Sequence, residues 1–119
     1  MGNTKMGALE GRFADIIWEN EPIASGQLVK FAQRELSWKP TTSYTVLKRL
    51  CERGIFQNSG GTVTSLFSRE AFYAMQSEQF VEETFDGSLP AFLAAFTSRK
   101  ALSDKEVEEL KEIIDGLRR

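Results

Sequence analysis

The stretch from Trp38 to Phe67 leaves this chain few folds to choose from. Pro40 suits the first turn of a helix, where a backbone N–H has no partner to lose, and Gly54 suits the position just past the end. Between them Val46, Leu47 and Leu50 recur at helical spacing and must face a core. That turns Thr41, Thr45, Lys48, Arg49 and Glu52 toward solvent or the flanks, with Thr42 at the start of the helix. Threonine hydroxyls and cations at one-turn intervals suit base edges and phosphates in a major groove. A merely solvated helix face with two cations fits the same residues. The next segment adds a second constraint. Asn58-Ser59-Gly60-Gly61 is turn chemistry between two runs rich in β-branched and aromatic residues, which predicts a β-hairpin.

Upstream, Leu9, Phe13, Ile16, Ile17 and Trp18 mark a helix over about residues 8–20, ended by Pro22. Ser25 is a good N-cap for a second helix through about Leu36, with Leu28, Val29, Ala32 and Leu36 inward. Three helices followed by a hairpin is the order of a winged helix-turn-helix, in which the third helix reads DNA and the hairpin is the wing. Ser68 can cap a fourth helix to about Thr84, carrying Phe72, Met75, Phe80 and Val81. Phe85-Asp86-Gly87 breaks it. Ser88 can then cap a fifth helix with Pro90 in its first turn and Leu89, Phe92, Leu93 and Phe96 in one stripe.

The last helix is the best signalled. Ser103 and Glu106 form a capping box, and Leu102 and Val107 are spaced as a hydrophobic staple. Its stripe is Val107, Leu110, Ile113, Ile114 and Leu117. The expected fold is therefore mainly α with a small β-hairpin: a winged helix-turn-helix over residues 1–68 and C-terminal dimerisation helices over 69–119. Three amphipathic helices of this size enclose too little volume for a core of their own. They either fold back on the winged domain or pair with a second copy, and two-fold symmetry, which gives a small DNA reader half-site specificity, favours the second copy.

Composition closes off other functions. The chain has no histidine and one cysteine, Cys51, which removes the commonest general base and leaves no plausible transition-metal cage. No Gly-rich phosphate loop follows a strand, so Gly60-Gly61 is a turn and not a nucleotide site. The pairs Glu82-Glu83 and Glu108-Glu109 read as solvated helix faces. No catalysis, cofactor or metal is expected. A lone cysteine with only Lys48 at helical contact spacing makes a poor redox sensor. No apolar run approaches the roughly 18 residues of a membrane span, and the N-terminus lacks a signal-peptide pattern, so a cytoplasmic protein without membrane partners is expected. The net charge of −2 hides an asymmetry, +2 over residues 1–60 and −4 over 61–119. A mildly basic front half and an acidic back half suit a DNA reader joined to a module that does not bind DNA.

From about Leu9 onward the chain resembles the penicillinase-repressor family, the bacterial repressors of β-lactamase and methicillin-resistance operons. The resemblance rests on Ile16-Ile17-Trp18, on Thr41 through Leu50 followed by Gly54, on Gln79-Phe80-Val81, on Ser88 through Phe96 and on Leu102 through Leu110. It implies a homodimeric winged-helix repressor on a palindromic, double-stranded DNA operator, with the dimer held by the C-terminal helices. The DNA-contacting positions it implies are Thr41, Thr42, Thr45 and Arg49, with Lys48 on a phosphate. The dimer positions are Phe92, Phe96, Val107, Leu110, Ile113, Ile114 and Leu117. It further implies relief of repression by a sensor protease that cuts before a phenylalanine of the fifth helix. The family's usual Asn-Phe is Ala95-Phe96 here, with Phe96 expected to be buried.

Two other departures stand out. Asn58 to Phe67 carries no charge where several members have basic wing residues, and the cysteine-rich motif of the copper-responsive branch is absent. The acidic pI of 5.3 and the uncharged wing leave one alternative open, a winged-helix module that binds protein and not DNA.

Overall fold

A computed structural model of the protein describes residues 6–118; the outermost residues of the two expected ranges, 1–5 and 119, lie outside it. The first helix, α1, spans Ala8–Asn20. It stops short of Pro22, with Glu21 already extended, the conformation that a following proline favours. Phe13, Ala14, Ile16 and Ile17 form its buried face, while Leu9, expected among its apolar set, is half exposed in the first turn.

A two-residue strand, β1 (Ile23–Ala24), comes next, and no hairpin signal announced it. Two residues are too few for alternation to register in a sequence; the strand exists because Ile23 and Ala24 pair with Val63 and Thr62 of the wing. This pairing also changes how α2 (Ser25–Leu36) begins. The N-cap is Ala24 and not the expected Ser25, and no side chain caps it. The Ser25 N–H instead donates to the Gly61 carbonyl at 2.8 Å, so the wing turn satisfies an N–H that the helix start leaves unpaired. Leu28, Val29 and Ala32 are buried as expected, and Leu36 packs partly buried against the same core.

The third helix, α3 (Pro40–Glu52), has Pro40 at its first position, and Gly54 follows it at a φ of 78°. Only glycine takes that conformation without strain, which is how the chain turns into the wing. The wing strands are β2 (Phe56–Ser59) and β3 (Thr62–Ser65), and Ser59 faces Thr62 across a two-residue turn. Gly60 and Gly61 both hold positive φ, 60° and 90°, as the right-handed twist of a two-residue hairpin demands. The sheet order is β1-β3-β2, all antiparallel.

The fourth helix, α4 (Arg69–Phe85), is capped by Ser68, whose Oγ accepts from the Ala71 N–H at 3.1 Å. The structure falls into two compact units that meet in sequence between Gln79 and Phe80, inside this helix. The reason is Phe72. Fully buried, it belongs to the cluster formed by Phe13, Ile17, Leu28, Leu50, Phe56 and Val63, so the first turns of α4 complete the front core. Within this first unit Trp18 links α1, the wing and the start of α4. Its indole lies 5.1 Å from the Phe56 ring and 5.7 Å from Phe72, and its Nε1–H donates to the Phe67 carbonyl at 3.0 Å.

In the second unit, Asp86 and Gly87 take positive φ and end α4. Helix α5 spans Leu89–Arg99, capped by the Ser88 hydroxyl on the Ala91 N–H, and α6 spans Asp104–Leu117. The Ser103–Glu106 capping box of α6 forms as expected: the Glu106 N–H donates to Ser103 Oγ, and the Ser103 N–H donates back to the Glu106 carboxylate, each at 3.1 Å. The Ser103 N–H, joined by the Ser103 hydroxyl donating to the same carboxylate oxygen at 3.2 Å, holds the Glu106 carboxyl below its ordinary pKa. Phe80, Phe85 and Phe92 meet edge to face with centroids 5.7–6.2 Å apart, and Phe96 tilts against Phe92. None of the described residues from 80 onward is buried.

Truncating Phe72 opens a hole in the front core and should cost about 3–5 kcal/mol. Phe72→Ala should shift the urea midpoint accordingly, followed by the fluorescence of the neighbouring Trp18. A change within error would mean that α4 does not belong to the front core.

Candidate nucleic-acid interface

The apolar stripe of α3 fixes which residues face out. Val46, Leu47 and Leu50 are buried against Phe13, Ile17 and Leu28, and Trp38, just before the helix, lies 5.2 Å from the Phe13 ring. Ser43 shares the inner face. It is fully buried, and its hydroxyl has no hydrogen-bond partner among the described residues. The opposite face carries Thr41, Thr42, Thr45, Lys48 and Arg49, every one exposed, so all five expected positions lie together on one element. Tyr44, which the sequence reading did not single out, is also half exposed, and its position next to Thr45 was the available signal.

Each side chain has a distinct state. The Thr45 hydroxyl donates to the Thr41 carbonyl at 2.8 Å, which uses its only proton and leaves oxygen lone pairs and a methyl group to contact a partner. Lys48 forms no ion pair among the described residues. Arg49 is engaged: its Nη1 donates to Glu10 Oε2 of α1 at 3.1 Å. Sequence reading missed this partner because it is 39 residues away and only the packing of α1 against α3 brings it near.

The wing displays Gln57, Asn58, Ser59, Thr62 and Thr64 and no charge, so its capacity for DNA is limited to hydrogen bonds. The Asn58 side-chain oxygen is already taken by the Gly61 N–H at 3.1 Å. Where the wing joins α4, an open cleft of about 450 Å³ is lined by Trp18, Glu21, Phe67 and Arg69 among others. Two of its charged groups are engaged within the protein: Glu21 accepts from the Ser65 N–H and hydroxyl, and Arg69 pairs with Asp15 and Glu19. Those bonds tie α1 to the end of β3 and the start of α4. No cluster of metal-ligating side chains exists among the described residues.

The sequence profile of the penicillinase repressor family matches residues 6–116, almost the whole described chain. The chain belongs to the penicillinase repressor family. Membership makes it a DNA-binding transcriptional repressor and not an enzyme, and its six-helix structure with a small antiparallel sheet is a winged-helix repressor fold. Individual relatives are distant. The methicillin resistance regulatory protein MecI of Staphylococcus aureus strain Mu50 is 24% identical over 115 residues, which cover 93% of this chain and 94% of that protein. The penicillinase repressor of Bacillus licheniformis is 25% identical over 104 residues, 84% of this chain and 81% of its own. MecI of Mammaliicoccus sciuri is 23% identical over 115 residues, again 93% and 94%. No described helix is long and apolar enough to cross a membrane.

Beside the α3 face, Cys51 is partly buried and packs against the core. Burial raises its thiol pKa, and a backbone hydrogen bond from Asn58 works weakly the other way. A raised pKa means less thiolate at a given pH and slower alkylation. Iodoacetamide at mildly alkaline pH should therefore modify Cys51 in the folded protein more slowly than it modifies free cysteine. Modification as fast as free cysteine would contradict the packing described for the end of α3.

Proposed function

We propose that the outward face of α3 is the operator-reading surface of a homodimeric repressor, with Thr41, Thr42, Thr45 and Arg49 toward bases and Lys48 on a phosphate. What supports the reading is that five polar or cationic side chains lie exposed on one helix whose other face is locked in the core. Thr41 and Thr42, in the first turn, suit the base-contacting end of a recognition helix. Its target genes would be of the antibiotic-resistance kind for which the relatives are named.

The second chain of the dimer is argued from what the back unit leaves uncovered. Leu89, Phe96, Ile113, Ile114 and Leu117 are 45–72% exposed, Phe92, Val107 and Leu110 are only partly buried, and none of the described residues there is buried outright. The expectation that Phe96 is buried does not hold within one protomer, where it is 45% exposed although it packs on the Phe92 ring. Water-facing side chains of this size cost roughly 1.5–3 kcal/mol each relative to burial, so a self-complementary partner is the economical cover. Two half-site readers joined in this way would favour a palindromic operator.

Repression would be relieved by a sensor protease cutting between Ala95 and Phe96. Exposure of both residues favours access, but the bond lies inside α5 and must open locally first. The cut would separate α6 and most of the dimer stripe from the DNA-reading half, ending two-point binding.

Arg49→Ala should lower operator affinity by about 1–3 kcal/mol in a folded protein, whereas Lys48→Ala should weaken all duplexes alike and reduce the salt slope by about one. Anisotropy titrations over a salt series check both, and unchanged operator affinity in Arg49→Ala would refute the assignment of α3.

Sedimentation should show a dimer for the intact protein. Monomers are expected for Ile113→Asp or Leu110→Asp, because a charge then enters an apolar seam, and for protein cut at Ala95–Phe96. A monomeric intact protein at tens of micromolar would refute the dimer. A cut protein that stays dimeric would remove the rationale for proteolytic relief.

A further inference from the structure

Glu10 is not part of the DNA-reading set, yet it is the most constrained acidic group near it. It sits on α1 with its side chain only 18% exposed, and the Gly7 N–H donates to its Oε1 at 3.2 Å. Its Oε2 accepts from Arg49 Nη1 at 3.1 Å, and Arg53 Nη1 lies 4.0 Å from Oε1. One fixed carboxylate thus stands against two arginines of the recognition helix region. Arg49 Nε and Nη2 make no bond among the described residues. A guanidinium offers five N–H donors in a rigid fork, so holding one corner leaves an adjacent pair in a defined direction.

We propose that Glu10 is a positioning residue for operator recognition: it anchors Arg49 by Nη1 so that the Nε–Nη2 edge is presented to one base edge or phosphate and not distributed over many. This inference rests on the reading of α3 as the operator-reading face. The same carboxylate brings negative charge close to the DNA-facing helix and so weakens attachment to any duplex. Glu10 therefore exchanges indiscriminate affinity for sequence discrimination. A long arginine without such a brace finds phosphates on every sequence, and phosphate contacts carry no sequence information. The effect of losing Glu10 is accordingly two-sided, which neither a purely structural role nor simple charge repulsion reproduces.

The test begins by selecting the preferred duplex of the unmodified protein from a randomised pool. Dissociation constants are then measured for that duplex and for a shuffled one of equal length and composition, at fixed salt. Glu10→Gln keeps an oxygen for the Gly7 N–H and removes the charge. It should tighten the shuffled duplex a few-fold and lower the preferred-to-shuffled ratio about tenfold. Glu10→Asp keeps the charge but draws back by one methylene, so it should lower the ratio with little change on the shuffled duplex. In an Arg49→Ala background, Glu10→Gln should leave the ratio as it finds it, because the positioned group is gone. Unchanged melting temperatures show that the fold is intact, and if Glu10→Gln fails to fold, Glu10→Asp carries the test.

A ratio untouched by both Glu10 variants while Arg49→Ala lowers it overturns the role of Glu10 and leaves the α3 reading standing. A loss of ratio that persists in the Arg49→Ala background also overturns it, since Glu10 would then act through something other than Arg49. A ratio untouched by Arg49→Ala in a folded protein overturns the α3 reading and this inference together.

Discussion

Everything the front half of this repressor presents to solvent depends on one packing constraint, the burial of Val46, Leu47 and Leu50 beneath Phe13, Ile17 and Leu28. A helix has one rotational freedom about its axis, and three large aliphatic groups at helical spacing remove it. Rotating α3 to bury Thr45 or Arg49 would expose those aliphatics at roughly 1.5–3 kcal/mol apiece and bury polar groups without partners. The outward face of α3 is thus fixed by what the core demands. Function needs only that the remaining positions carry suitable chemistry.

The wing contributes to stability through its bonds to the rest of the front unit. Its uncharged tip has little to offer a phosphate, but the Gly61 carbonyl satisfies the first N–H of α2, and β3 pairs with β1 on its second edge. A hairpin alone is marginal in water; a third strand and a helix terminus give this one reasons to hold its shape. Trp18 completes the arrangement by packing at a tilt against Phe56 and Phe72 while donating to the Phe67 carbonyl. One indole thereby links α1, the wing and α4.

The back unit is organised differently. Its helices are well specified locally: Ser88 and Ser103 cap their helices, and Asp86 and Gly87 end α4 at positive φ. Its rings from Phe80 to Phe96 pack on one another, and none of its described residues is buried. Helices of this length draw most of their stability from tertiary packing and not from propensity. Good caps without a covered core are what the proposed dimer would complete.

The sequence by itself determined the elements whose causes are local. The limits of α1 and α3, the two-glycine wing turn, the Ser68, Ser88 and Ser103 caps and the outward set on α3 all follow from periodicity, proline, glycine and capping residues a few positions apart. Tertiary structure alone decided what depends on residues distant in sequence. β1 is a strand only because Val63 and Thr62 lie beside it, and Ala24 rather than Ser25 precedes α2 because the wing supplies the cap. Phe72 draws the start of α4 into the front core, and Glu10 reaches Arg49 only when α1 and α3 pack. Local patterns record the torsions and the inward face of a segment. They hold no record of which of many compatible side chains will meet across the core, because that choice is made by the burial of the whole chain at once.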